Sequence, residues 1–368
     1  MDASQLGGRI RQERERTGLS QGDLASLADI DRTAISKIET GVRKVTAIEL
    51  LRIAEAVGVR MARLLEDPIP ALVSHRSSQG LDTIDSRVDV LLDELAHEVE
   101  FVQRLAPERL APEVEMDLPL QRPRSYENAE ELATQARRGL GLGESDAVTR
   151  LPEVVSRLGL WAFSMDFGPD TADAGTILLR NGGVALINSH NKVGRRRLAL
   201  AHELGHFLLQ DDYTVDWRVS DPSDGVESRL DRFARAFLLP ASGFSDFWNE
   251  SLERLGLRDA SVVTASRFQV DMSTLARRLK ELQLDGDRNM IRATQTVQAD
   301  IIEHGLNVSV DLEGSSLPQR YQQAVLALYR ERKISVERTL ELLRGTLADS
   351  DLPPRRKRVE GELWNFVS

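Results

Sequence analysis

The stretch LALAHELGHFLLQ, residues 198–210, limits this chain more than any other. His202 and His206 are four residues apart, so a helix sets both imidazoles one turn apart on one face, where they can reach a single ion. Glu203 lies beside the first, where a carboxylate can contact a metal-bound water. Without a metal the same residues make an ordinary helix. The chain has no cysteine, so any metal must be held by His, Asp or Glu.

A catalytic metal needs three protein ligands and an open position. VESRLDRFARAFLLP, residues 226–240, reads as a second amphipathic helix stopped by Pro240, and it carries Glu227 and Asp231 one turn apart. This arrangement after HExxH resembles the gluzincin pattern. The resemblance implies that His202, His206 and Glu227 bind the metal, that Asp231 orients a liganding histidine, and that Glu203 is the general base. Nitrogen and oxygen ligands suit zinc best, with manganese as the alternative.

GTILLRNGGVALIN, RRRLALAHELGH and ESRLDRFARAFLLP resemble successive blocks of the ImmA/IrrE-type metallopeptidases, over about Ser125 to Leu284. The resemblance implies a small sheet before the active-site helix, with TILL and VALIN as strands. FQVDMSTLARRLKELQL is similar to the family's segment after the third ligand. Arg229 and Asp231 stand where the family commonly has a second glutamate and an asparagine; neither change removes a ligand. His190, in the loop INSHNKVG, is either a solvated residue or one that contacts substrate or steadies an oxyanion. Arg195, Arg196 and Arg197 read as a charged helix start, or as a site for an acidic substrate segment. His75 and His97 read as surface residues.

The first 66 residues carry a different message. LSQGDLASLADIDRTAISKIETG has the grammar of two short helices and a tight turn. Ser20 with Asp23, and later Thr46 with Glu49, match capping boxes. Leu24, Leu27 and Ala28 supply one apolar face, Ile35 and Ile38 the next, and Gly41 a stop. A plain helical bundle with solvated charges is the bland alternative. Residues 4–66 resemble the lambda-type and XRE helix-turn-helix repressors. The resemblance implies double-stranded DNA as partner, with Arg32, Thr33, Ser36 and Lys37 facing the major groove. It places Gln21 on a phosphate and Arg43 and Lys44 on the backbone, and it implies a homodimer on a two-fold operator. Asp29 replaces the usual turn glycine, a position where aspartate tolerates a left-handed conformation.

The expected fold is mainly α with a small β-sheet (α+β). Its parts are a helix-turn-helix domain at 1–66, a linker at 67–124 containing an amphipathic helix at 84–105, an ImmA/IrrE-like metallopeptidase domain at 125–290 and a helical extension at 291–368. In the linker helix Ile84, Val88, Leu91, Leu95, Val102 and Leu105 form a seam with Glu98 at its one polar position. That seam suits either a coiled coil between two chains or a helix packed on its own chain. Leu317-Pro318, Arg320 and Tyr321 resemble the extension of longer proteins that fuse such a head to such a peptidase. It reads as a packing or regulatory unit, with KISVERTLELL as an arm for a partner.

Residues 1–66 carry 11 Lys and Arg against 10 Asp and Glu, and the remainder carry 37 against 48. An acidic body with a near-neutral head still binds DNA if the head's cations converge. No apolar run approaches a membrane span and no signal peptide is evident, so a cytoplasmic protein is expected. The expected function is a DNA-binding regulator whose zinc metallopeptidase cleaves a partner repressor or its own proline-rich linkers, at 67–82 or 106–124. Such cleavage belongs to a stress, mobile-element or toxin–antitoxin response. The alternative is a non-catalytic transcription factor or antitoxin that uses the zincin-like body as a metal or ligand sensor.

Overall fold

Side-chain caps set the helices of the first 65 residues. In the computed structural model, which describes residues 2–65, 87–169, 171–211, 213–216 and 225–355, Asp2 opens α1 (Ala3–Arg16) by accepting from the Gln5 amide at 2.8 Å. Ser20 and Asp23 form the expected reciprocal box at α2 (Gln21–Ala28). Asp29 then takes φ 52°, the left-handed turn position. Asp31 caps α3 (Arg32–Glu39), Gly41 follows at φ 73°, and the Thr46–Glu49 box opens α4 (Ala47–Ala56), followed by α5 (Met61–Leu65).

Ile10, Leu24, Ile35, Ile38, Ile53 and Leu64 are fully or almost fully buried and form the core of this unit. Leu27, expected on the apolar face, is instead 61% exposed, and Ala25 faces inward in its place. Beneath α3, the buried Glu39 accepts from Arg14 Nε at 2.6 Å and from Gln21 Nε2 at 2.8 Å.

The chain divides into two compact units, residues 1–86 and 87–368. The second begins with α6 (Arg87–Leu105), continues through α7 (Tyr126–Gly139) and α8 (Leu151–Ser156), and then forms β1 (Leu160–Met165), β2 (Ala174–Leu178) and β3 (Gly183–Asn188). α9 (Val193–Leu209), β4 (Tyr213–Asp216) and α10 (Gly225–Leu238) follow. The sheet order is β1-β3-β2-β4; β1 and β3 are parallel and the other pairs antiparallel. Next come α11 (Ala241–Phe268), which is two helical stretches meeting at the non-helical Gly256, then α12 (Met272–Glu281), α13 (Arg288–Ala293) and α14 (Gln298–Glu303). α15 (Gln319–Arg330) and α16 (Val336–Leu342) complete the described helices.

Alternation along the strands divides the core, as a two-residue period requires. Ala162, Ala185 and Ile187 share a cluster with Leu200, Leu204 and Leu208 of α9. The neighbouring Phe163 instead packs edge-on against Tyr321 of α15, with ring centroids 5.2 Å apart.

α6 is the packed helix of the two readings its seam allowed. Of the expected seam, Val88, Leu95 and Val102 are buried but Leu91 and Leu105 only half-buried, and Leu92 and Val99 complete the buried stripe in their place; the helix lies against β3, β2 and α15. Each aliphatic side chain so buried contributes about 1.5–3 kcal/mol relative to exposure, so this stripe is unavailable to a second chain. Glu98 accepts from Arg344 Nε at 3.0 Å. Ile84 and residues 67–82 lie outside the described residues.

Residues 106–124, expected to be an exposed linker, are laid along the body. Leu110 and Leu120 are buried, the Leu120 amide donates to the Leu208 carbonyl at 2.8 Å, and the Glu113 amide to that of Arg157 at 2.8 Å. These contacts tie the segment to the body at a few residues, while most of its other side chains are exposed. Among the described residues no helix is long and apolar enough to cross a membrane.

Candidate functional site

α9 presents His202, Glu203 and His206 into the interior, and all three are at most 5% exposed. α10 crosses it closely because residue 205 is glycine. A Cβ there would lie 2.9 Å from Leu230 Cδ2 and 3.1 Å from Phe233 Cδ1. That approach brings Glu227 into reach of both histidines. His202 Nε2 lies 3.1 Å from Glu227 Oε2 and 3.2 Å from His206 Nε2, and His206 Nε2 lies 3.5 Å from the same carboxylate oxygen. Among the described residues this His-His-Glu triangle is the group of ligand atoms suited to a metal ion.

The dimensions suit zinc. Tetrahedral ligands at about 2.0–2.1 Å from an ion stand about 3.3 Å from one another, and the three edges here average close to that. Behind the triangle, His202 Nδ1 lies 3.1 Å from Asp231 Oδ1, the placement expected of that aspartate. His206 Nδ1 lies 2.8 Å from Asp211 Oδ2, a partner the sequence reading missed.

The end of α9 places Asp211. Gln210 ends α9 at φ 57° in the left-handed conformation; its amide donates to the Phe207 carbonyl, and the Asp211 amide donates to the His206 carbonyl. This is the Schellman closure, which folds the residue after the reversal back onto the one five positions earlier. An aspartate there is delivered to His206.

The carboxylates set the electrostatics. Burial alone would lower the His206 pKa, but bonds to Asp211 and Glu227 outweigh it and raise it to about 9. Hydrogen bonds from His202, then His206, hold the Glu227 carboxyl far below its ordinary range. Burial pushes the Asp231 carboxyl up, and His202, Arg235 and Arg277 more than reverse it. Such a cluster favours positive charge at its centre, which a proton or a bound cation supplies.

Other expectations are redistributed. Arg195 pairs with Asp173, Arg196 donates to the Ser189 carbonyl at 3.2 Å, and the fully buried Arg197 bonds Asp311 and the Val148 and Gln269 carbonyls. These arginines anchor the start of α9 internally and form no open site for an acidic segment. His190 sits 3.4 Å from Asp166 and outside the ligand triangle. His97 bonds the Asp93 carbonyl within its own helix at 2.7 Å; His75 lies outside the described residues.

In the first unit Arg32, Thr33 and Lys37 are exposed on α3, with Ser36 half-buried beside them. The Thr33 hydroxyl donates to Asp31 at 2.5 Å. Lys44 is exposed, whereas Arg43 donates to Glu49 at 2.7 Å and Gln21 to Glu39.

A helix-turn-helix unit and a zincin-like body with a His-His-Glu triangle therefore share one chain. Residues 10–64 match the helix-turn-helix family and residues 155–280 match the family described as the IrrE N-terminal-like domain, so the chain fuses an XRE-type head to an ImmA/IrrE-type body. It is similar to the HTH-type transcriptional regulator RamB of Mycobacterium tuberculosis (strain CDC 1551 / Oshkosh), at 33% identity over 99 residues, covering 27% of this chain. That match spans only 20% of the relative's length. It is also similar to control protein C.MunI of a Mycoplasma species, at 36% identity over 63 residues, or 17% of this chain and 85% of the relative. A solved structure, the restriction-modification controller protein C.AhdI from Aeromonas hydrophila, aligns at 34% identity and TM-score 0.17, covering 17% of this chain and 94% of that one.

Proposed function

We propose that this protein is a DNA-binding transcriptional regulator with a zinc-dependent endopeptidase in its body, and that it cuts a partner repressor. The single observation that carries the enzymatic half is the convergence of buried His202 and His206 with half-buried Glu227, and Glu203 fully buried on the same helix as the histidines.

The triangle would hold the metal, and Asp231 keeps His202 Nδ1 protonated so that Nε2 carries the free lone pair. Zinc bound there would supply Lewis acidity toward a peptide carbonyl. Glu203 takes the attacking water's proton on a carboxylate oxygen and returns it to the leaving amine nitrogen. With Glu203 screened from solvent, that proton is passed within the site. Manganese is the alternative occupant, since all three donors are nitrogen or oxygen.

For the regulatory half, Arg32, Thr33, Ser36 and Lys37 read bases in the major groove, and Lys44, Arg43 and Gln21 fix the backbone. The likeness to a named transcriptional regulator and a control protein supports this reading. A homodimer on a two-fold site follows from the small footprint of one such head; α6 is not its seam. The 67–82 linker remains a candidate target for self-cleavage.

Glu203→Gln is the test. It is expected to abolish cleavage of a co-expressed repressor or of the chain's own linker, while zinc content and DNA affinity stay at wild-type level. Equal regulation of a reporter by wild type and variant, with no cleavage product from either, supports the non-catalytic sensor instead.

A further inference from the structure

Both histidines of the triangle are backed by a carboxylate, yet the two carboxylates reach them differently. Asp231 stands on the same helix as the third ligand. Asp211 stands outside any helix, on the Schellman closure of α9, with its Oδ2 2.8 Å from His206 Nδ1. The closure uses only the Asp211 backbone amide, so the side chain is not needed to end the helix. Its second oxygen, Oδ1, accepts from the Arg122 guanidinium. Arg122 belongs to the strap of residues 106–124, which is tied to the same end of α9 two residues earlier through the Leu120 amide and Leu208 carbonyl.

We infer that Asp211 is a positioning residue of the metal centre and that Arg122 clamps it, so that the strap preceding the body completes the site. The inference rests on the proposed metal reading and deepens it. Asp211 accepts the Nδ1 proton of His206, which fixes the tautomer and aims the Nε2 lone pair at the ion. Arg122 holds the carboxylate in that orientation with its remaining oxygen. Removing the carboxylate leaves the imidazole free to rotate and to exchange tautomers, and ligand geometry is lost without any ligand being removed.

The experiment is a zinc affinity titration against a chromophoric chelator, using the full chain as wild type, D211A, D211N, R122A, R122K and R124A. Outer carboxylates of this kind change metal affinity by about 10- to 100-fold, and D211A is expected to weaken zinc binding within that range. D211N retains a neutral acceptor and is expected to fall between D211A and wild type.

Arg122 is largely exposed, with 58% of its side chain open to solvent. R122A is therefore expected to lose only about two- to fivefold, with R122K recovering part of it. R124A changes the same charge at an exposed neighbouring position and is expected to match wild type. Apo-protein melting temperatures separate lost geometry from lost folding. Wild-type affinity in folded D211A and D211N overturns the role of Asp211, and R122A indistinguishable from R124A overturns the clamp. A wild type that takes up no zinc removes the metal reading itself, and the inference with it.

Discussion

Gly205 of α9 and Leu230 of α10 are in such close contact that a Cβ on the glycine would lie 2.9 Å from the leucine Cδ2. Leu230 and Phe233 are fully buried, so neither side chain has open space to move into. Gly205→Ala is therefore expected to push the two ligand helices apart. Overpacking of this kind costs about 1–3 kcal/mol, readable as a lower urea midpoint. Because Glu227 rides on the displaced helix, the variant is also expected to bind zinc more weakly than its stability loss alone explains. Wild-type zinc affinity in a destabilised Gly205→Ala would show that the triangle does not depend on this contact.

A second set of charges locks α10 in place. Glu130 of α7 accepts from Arg278 at 2.8 Å and also pairs with Arg232, while Arg235 donates to Glu281 at 2.8 Å. Burial alone would raise the Glu130 carboxyl, but Arg278 and Arg232 outweigh it and bring it below its ordinary value of 4.5. A carboxyl lowered by folding stabilises the native state above that value, and the contribution is lost as pH falls through the folded-state pKa. Breaking a fully buried pair costs about 3–5 kcal/mol, and because a quarter of the Glu130 side chain meets solvent, Glu130→Gln is expected to cost about 2 kcal/mol at pH 7. Urea melts at pH 7 and pH 3 check this, since the gap between wild type and variant should shrink at the lower pH.

Arg32 and Gln21 should behave differently although both were placed on DNA. Arg32 is exposed, so Arg32→Ala is expected to weaken binding by about 1–3 kcal/mol and relax base preference at one position, with stability unchanged. Gln21 donates to the buried Glu39, so Gln21→Ala is expected to lower stability by about 1 kcal/mol as well as affinity. Binding to duplexes selected from a random pool, paired with thermal melts, separates the two. An Arg32→Ala protein that binds every selected duplex like wild type would remove α3 from the groove.

Local spacing made much of this legible. The capping boxes at Ser20 and Thr46, the left-handed Asp29 and the one-turn pairs His202–His206 and Glu227–Asp231 are short-range relationships, which sequence displays directly; that the two pairs meet across 25 residues was implied only by the family resemblance. The strands TILL and VALIN fell within or beside β2 and β3. β1 was passed over because LWAFSM is buried on both faces and lacks alternation. The seam of α6 showed an apolar stripe without naming what covers it, and only the fold shows that the sheet and α15 do. Arg195 and Arg197 read as a charged helix start because their partners, Asp173 and Asp311, are distant in sequence. Asp211 was hidden by a helix end marked with glutamine where glycine is the usual signal.

Metal content tests the central claim most directly. Wild type and Glu227→Ala, purified without chelator and supplied with zinc, are compared by mass spectrometry for metal per chain. With three ligands converging in the wild type, about one equivalent is expected, with most of it lost from the variant while both remain folded. Wild type that stays metal-free, or a variant that keeps its full equivalent, would contradict a zinc centre built on His202, His206 and Glu227.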